Sequence, residues 1–152
     1  MVQKPAATTQ LLLDNQLCFA VYSTAHAFNR VYKPLLDKLG LTYPQYLVML
    51  VLWERDDVPV KVIGERLFLD SGTLTPLLKR LEAAGLIKRA RSKDDERQVL
   101  IALTPQGQAL RDKAKTLPQA ILAASACSIG ELSAMKNELI ALRDRLRAMT
   151  GE

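Results

Sequence analysis

The sequence predicts a mainly α-helical fold with a small β-wing, a winged helix-turn-helix, on three observations within residues 60–104. Val62, Ile63, Leu67 and Leu69 recur at helical spacing around Lys61, Glu65 and Arg66, an amphipathic first helix running into a turn. Leu74, Leu77, Leu78 and Leu81 follow at i, i+3, i+4 and i+7, the inward stripe of a second helix. Val99, Ile101 and Leu103 then alternate in and out as the partner of a strand over residues 86–91, which makes a ribbon.

Each junction carries its own signal. Asp70-Ser71-Gly72 supplies capping oxygens and a flexible residue where the second helix must start. Pro76 is expected in or near the first turn, where a missing N–H costs least. Gly85 reads as the left-handed residue that stops the helix. The ribbon tip, Ser92-Lys93-Asp94-Asp95-Glu96-Arg97-Gln98, is too charged to be buried. Between Lys79 and Lys93 stand six basic residues, Lys79, Arg80, Lys88, Arg89, Arg91 and Lys93, against the single acidic Glu82. A helix offering Ser71, Thr73 and Thr75 and then Lys79 and Arg80, beside a basic ribbon carrying Arg91, suits a duplex groove with flanking phosphates. The plain alternative is a solvated charged face on a small helical domain.

At 152 residues the chain is one compact domain, or one domain with an assembly element. A formal charge of +5 favours an anionic partner, and double-stranded DNA fits it best. The longest apolar run, Tyr46 to Trp53, is eight residues, far short of the roughly 20 that span a bilayer. The N-terminus is polar without a signal-peptide core, so a cytoplasmic chain is expected, with no membrane partner. Cys18 and Cys127 stand too far apart in sequence to suggest a disulfide framework or metal cluster, and their thiols are expected to be reduced at rest. His26, the only histidine, has no carboxylate pair beside it and reads as structural. No catalytic constellation, metal site or cofactor motif is present in the sequence.

Elsewhere, the first ten or so residues read as a mobile arm. Residues 11–39 read as helical, with Leu13, Leu17, Ala20, Val21, Thr24 and Phe28 on one face, interrupted by Pro34 and ended by Gly40. Thr42-Tyr43-Pro44-Gln45 is a capping box opening a helix to about Arg55 that is apolar nearly all round and therefore central. Residues 56–59 read as a loop. Thr104-Pro105 caps a helix expected to pass Pro118, bent, and continue to about Ala126. Ser128-Ile129-Gly130-Glu131 is a second capping box. It launches a helix whose Leu132, Met135, Leu139, Leu142, Leu146 and Met149 alternate three and four residues apart, a narrow seam suited to pairing with another helix. A homodimer reading two half-sites of a pseudo-palindromic operator is the expectation, with dimerisation helices over 11–40 and 105–150 and the DNA-binding region over 43–104.

This order of elements resembles the MarR family of dimeric bacterial repressors, and Asp94-Asp95-Glu96-Arg97 running into Val99-Leu100-Ile101-Ala102-Leu103-Thr104 matches that family's most recognisable segment. The resemblance covers residues from about 11 to 150. Residues 17–46, LCFAVYSTAHAFNRVYKPLLDKLGLTYPQY, and 70–87, DSGTLTPLLKRLEAAGLI, are similar to the branch that senses organic hydroperoxides. That likeness implies a repressor released when Cys18 is oxidised, with Tyr32 and Tyr43 donating hydrogen bonds that favour its thiolate. It also implies that Cys127 closes an intersubunit disulfide with Cys18, that Arg97 enters the minor groove, and that Asp95 orients Arg97. On the residues alone, Cys18 and Cys127 are equally readable as packing cysteines and Asp95 as a turn residue. Two rivals keep their place: a repressor of this fold released by a small aromatic ligand, and a thiol peroxidase using both cysteines.

Overall fold

The computed structural model describes residues 8–152. Its helices are α1 (Leu17–Asp37), α2 (Tyr43–Glu54), α3 (Val60–Leu67), α4 (Ser71–Ala83), α5 (Pro105–Ala114), α6 (Leu117–Ser125) and α7 (Ile129–Thr150). Three strands, β1 (Val58–Pro59), β2 (Ile87–Arg91) and β3 (Val99–Leu103), form an antiparallel sheet in the order β1-β3-β2. The chain divides into two compact units, one ending at Ala114 and the other beginning at Lys115.

In the first unit α2 is the axis. Its capping box closes as the sequence requires: the Thr42 hydroxyl accepts from the Gln45 N–H at 3.4 Å, and the Gln45 side chain accepts from the Thr42 N–H at 2.9 Å. Tyr46, Val48, Met49, Val51, Leu52 and Trp53 are all buried, because α1, α3, α4, α5 and β3 pack around this helix. The stripe of α4, Leu74, Leu77, Leu78 and Leu81, meets Ile63 and Ile87 in the same core. Gly85, at φ 76°, ends α4 with two turn-closing bonds, Leu86 N–H to Leu81 O at 3.1 Å and Gly85 N–H to Glu82 O at 2.9 Å. Trp53 Nε1 donates to Gly107 O at 3.0 Å and ties α2 to α5. Gly107 is obligatory there: a Cβ would lie 2.1 Å from Leu86 O.

Four expectations are corrected. The first helix starts at Leu17 rather than near residue 11, and the proposed arm lies largely outside the described residues. Asn15 donates to Thr9 O, and Gln16 to Gln10 O and Leu12 O, so side chains satisfy carbonyls and two short 3-10 turns precede α1 instead. Residues 56–59 are not all loop, since Val58–Pro59 pairs with β3. Asp56 Oδ1 accepts from Leu103 N–H at 2.8 Å while Asp57 turns through φ 58°. Pro76 is the sixth residue of α4, in its second turn rather than its first. Last, α5 and α6 are separate helices: Pro118 has no N–H for the carbonyl of Ala114, and α5 stops at that residue.

In the second unit Ser128 and Glu131 close the predicted capping box, at 3.2 and 2.7 Å. The helix it opens, α7, buries no residue. Among the described residues no helix is long and apolar enough to cross a membrane.

Candidate functional site

Two groups of residues carry the candidate chemistry: α4 with its wing, and the cysteines with the tyrosine cluster. Asp70 caps α4 by accepting from Thr73 N–H at 2.7 Å, and this bond holds its carboxyl below the usual carboxylate range. With Leu74, Leu77, Leu78 and Leu81 buried, the 100° step of a helix places Gly72, Pro76 and Lys79 along the outward ridge. Ser71 and Thr75 fall to one side of that ridge and Thr73 to the other. The three hydroxyls therefore flank a ridge headed by a glycine and a proline, whose small side chains let the helix backbone approach a groove floor. Sequence reasoning missed this ridge, although the same helical periodicity contained it. Lys79 and Arg80 are exposed and form no ion pair among the described residues.

The wing is braced through its backbone. The Ser92 hydroxyl, in a buried residue, accepts from the N–H groups of Asp94 and Asp95, and Gln98 N–H donates to Asp95 O. The Asp95 carboxylate accepts from Arg97 N–H at 3.0 Å, so Asp95 sets the turn that presents Arg97; no ion pair joins their side chains among the described residues. Arg91 Nη1 donates to Glu96 O at 3.0 Å and clasps the tip. Arg89, counted with the basic run in the sequence, is bound by Glu82. Arg97 itself is exposed.

Cys18 lies in the first turn of α1 and is exposed, as are Leu17, Phe19, Val21, Tyr22, Phe28 and Val31 on the same helix. It is not a core cysteine of this chain. Tyr22 packs on His26 with ring centroids 4.2 Å apart, and among the described residues no group of histidine, cysteine and carboxylate side chains could hold a metal. Tyr32 and Tyr43 do meet, at 4.9 Å between rings, and Tyr46 joins them at 5.9 and 6.3 Å. Burial, then the neighbouring Tyr43 and Tyr46 phenols, pushes the Tyr32 phenol up to about 12, and burial raises Tyr43 and Tyr46 as well. All three stay protonated donors at neutral pH. Tyr46 was missed, though its i, i+3 spacing from Tyr43 on α2 was there to be read. The cluster is not beside Cys18 of its own chain: Tyr32 is fourteen positions along the same helix, about 21 Å at 1.5 Å per residue.

Cys127 lies between α6 and α7 and is half-buried. Its Sγ donates to Ser125 O at 3.3 Å, its N–H donates to Ser125 Oγ at 3.2 Å, and Ala126 before it is left-handed at φ 53°. The short connection holds the thiol at a strained joint rather than within a helix.

A capped helix with a small-residue outward ridge, followed by a braced basic ribbon, defines a winged helix-turn-helix DNA-binding regulator. Comparison with known proteins agrees. A family model for the transcriptional regulators SarA/Rot matches residues 30–114. The HTH-type transcriptional regulator TtmR of Methylorubrum extorquens (strain PA1) is 55% identical over 139 residues, 91% of this chain and 71% of that protein. The organic hydroperoxide resistance transcriptional regulator of Bacillus subtilis (strain 168) is 52% identical over 134 residues, 88% of this chain and 91% of that one. Among solved structures, reduced AbfR bound to DNA matches with a TM-score of 0.72 and 38% identity over 90% of this chain and 94% of its own. A disulfide-formed AbfR matches at 0.59 and 40% identity over 86% and 91%. The chain belongs to the SarA/Rot family of MarR-like transcriptional regulators, which are DNA-binding proteins and not enzymes.

Proposed function

We propose that this regulator is a cytoplasmic homodimeric repressor that leaves a pseudo-palindromic operator when organic hydroperoxides oxidise Cys18. The observation that carries this reading is the exposed Cys18 on an exposed apolar helix, with a protonated tyrosine cluster beyond reach in the same chain. The 52% identity to an organic hydroperoxide resistance regulator supports it.

Leu17, Phe19, Val21, Phe28 and Val31 on α1 are left at the surface and so, in the second unit, are Met135, Leu139, Leu146 and Met149 on α7; exposed apolar faces of this kind mark interaction sites. A second copy covers them. In such a dimer Tyr32 and Tyr43 of one subunit serve Cys18 of the other, since about 21 Å separates them within a chain. Phenol donors favour the thiolate, the nucleophile toward peroxide. The Cys18 sulfur attacks the terminal peroxide oxygen and the O–O bond breaks. The alkoxide takes a proton and leaves as alcohol, and Cys18 becomes a sulfenic acid. The Cys127 thiol of the other subunit then displaces the hydroxyl, which leaves as water, and the disulfide closes. Two sulfurs have lost the two electrons the peroxide gained. The bond needs Cα atoms within about 7 Å, so any greater starting distance converts oxidation into movement of the helices and loss of half-site spacing. On the DNA, Ser71, Thr73 and Thr75 face the major groove, Lys79 and Arg80 bind phosphates, Arg91 braces the wing and Arg97 enters the minor groove.

The test is fluorescence anisotropy with a duplex from upstream of the protein's own gene, before and after equimolar organic hydroperoxide and then excess dithiol. Release and recovery are expected for the wild type. Cys18→Ser should bind and not respond. Binding that persists through oxidation of the wild type would remove the redox reading and redirect the search to small aromatic ligands.

A further inference from the structure

The turn between the recognition helix α4 and the wing is spanned, among the described residues, by one ion pair. Gly85 lies in that turn, left-handed at φ 76°, between the end of α4 and the start of β2. Glu82, in the last turn of α4, reaches over it to Arg89 on β2. One carboxylate oxygen accepts from Arg89 Nε at 3.1 Å and Nη2 at 2.9 Å, and the other from the Arg89 backbone N–H at 3.1 Å. Arg89 is thus held by side chain and main chain together, and both side chains are only about one-third exposed, at 31% and 38%. The guanidinium hydrogen bonds draw the Glu82 carboxyl below the usual carboxylate range, so the pair stays charged at neutral pH.

We infer that Glu82 is a specificity-determining residue: it fixes the spacing between recognition helix and wing, and it masks a cation that would otherwise bind any DNA. The leverage follows from the ribbon. The tip lies about nine residues beyond Gly85, or ~30 Å at ~3.3 Å per residue, so a pivot of about 6° at Gly85 swings the tip by roughly 3 Å. That is close to one base step of about 3.4 Å, enough to take Arg97 from one minor-groove position to the next. The masking follows from charge. Of the six basic residues between Lys79 and Lys93, Arg89 alone has its charge answered by a carboxylate among the described residues. Unmasked, it would add a phosphate contact blind to sequence.

The experiment compares wild type, Glu82→Gln, Glu82→Asp, Arg89→Gln and the double variant. A duplex selected by the wild-type protein from a random library is titrated beside a scrambled duplex of equal length, across salt concentrations, with melting temperature recorded for each variant. Glu82→Gln is expected to weaken binding to the selected duplex by roughly three- to tenfold and to tighten binding to the scrambled one. Its scrambled-duplex salt slope should steepen by about one per subunit. Arg89→Gln should lose affinity for the selected duplex only, the double variant should return the salt slope to the wild-type value, and Glu82→Asp should retain most of the discrimination. Equal weakening on both duplexes in step with a lower melting temperature would reduce the pair to a stability contact and overturn the inference. So would an Arg89→Gln variant that loses scrambled-duplex binding and slope while Glu82 is intact, since Arg89 would then already be a phosphate contact.

Discussion

Replacing Gly107 with alanine tests the joint on which the winged unit is assembled. The new Cβ would stand 2.1 Å from Leu86 O, 3.0 Å from Leu86 C and 3.3 Å from Leu103 Cδ2. Ordinary carbon contacts lie at about 3.5–4.0 Å, so α5 must retreat by more than ~1 Å, and the nearest obstacle is backbone that cannot turn aside. Overpacking of this kind costs ~1–3 kcal/mol. The retreat also stretches the 3.0 Å bond from Trp53 Nε1 to Gly107 O beyond hydrogen-bonding range, and an indole N–H left buried without a partner costs a further ~1–3 kcal/mol. A total near 4 kcal/mol lowers the melting temperature by about 8–16 °C for a chain of this size. Circular dichroism gives the melt, and Trp53, the only tryptophan, gives a fluorescence signal from the joint itself. Trp53→Phe in the Gly107→Ala background should cost less than in the wild type, because the bond is already gone. Gly72→Ala is the control, since its Cβ would meet only Asp70 Oδ1 at 3.4 Å. A Gly107→Ala protein melting within two or three degrees of wild type, with unchanged fluorescence, would refute the close-approach argument.

Other expectations are simpler. Arg97→Ala should cost about 1–3 kcal/mol of operator binding, measured by anisotropy, and unaltered affinity would remove Arg97 from the minor groove. Cys127→Ser should still release DNA on oxidation while forming no intersubunit crosslink on a non-reducing gel; a complete loss of response would make Cys127 the primary sensor. Asp70→Ala removes the cap of α4. Because the folded Asp70 carboxyl is held low, the stability it adds is present above its unfolded value and disappears as pH falls through the folded one. The difference in melting temperature between wild type and variant should therefore close in acid. Tyr32 works in the opposite direction: its raised phenol adds stability fully present below pH 10.0 and lost as pH rises through about 12. Tyr32→Phe should flatten the alkaline part of the stability profile, and an unchanged profile would count against burial as the cause.

Periodicity made much of the first unit legible because α1, α3, α4, α5 and β3 pack on α2, and burial leaves a spacing in the sequence. The caps at Thr42, Asp70 and Ser128 were legible because each satisfies a helix end with residues only three positions apart. What stayed hidden depends on partners distant in sequence. Two residues of β1 are too few to alternate, and their pairing relies on Asp56 reaching Leu103, 47 positions away. Glu82 read as the lone acid in a basic run, and only the turn at Gly85 brings it onto Arg89. The site was legible as residue types and not as a place. Tyr32 and Tyr43 do cluster, but helix geometry sets them apart from Cys18 of the same chain.

That separation bears on how the proposed sensor is regulated. A thiolate supported by phenols of its own chain would be reactive in any assembly state. On the proposed reading the phenols come from the other subunit, so Cys18 is activated only where the dimer interface is formed. Cys18 stands on the same helix as the exposed apolar residues Leu17, Phe19 and Val21, so on that reading dimerisation would build the DNA-reading spacing and the reactive sulfur in one step. Sensitivity to hydroperoxide should then fall with dilution below the dimer dissociation constant. A Tyr32→Phe, Tyr43→Phe double variant mixed with a Cys18→Ser variant should place one fully supported Cys18 in each heterodimer, on the subunit that carries the tyrosine substitutions. Sulfenic acid trapping in the mixture but not in the double variant alone would require donors from the other chain. Equal trapping in both would show that Cys18 needs no partner phenol.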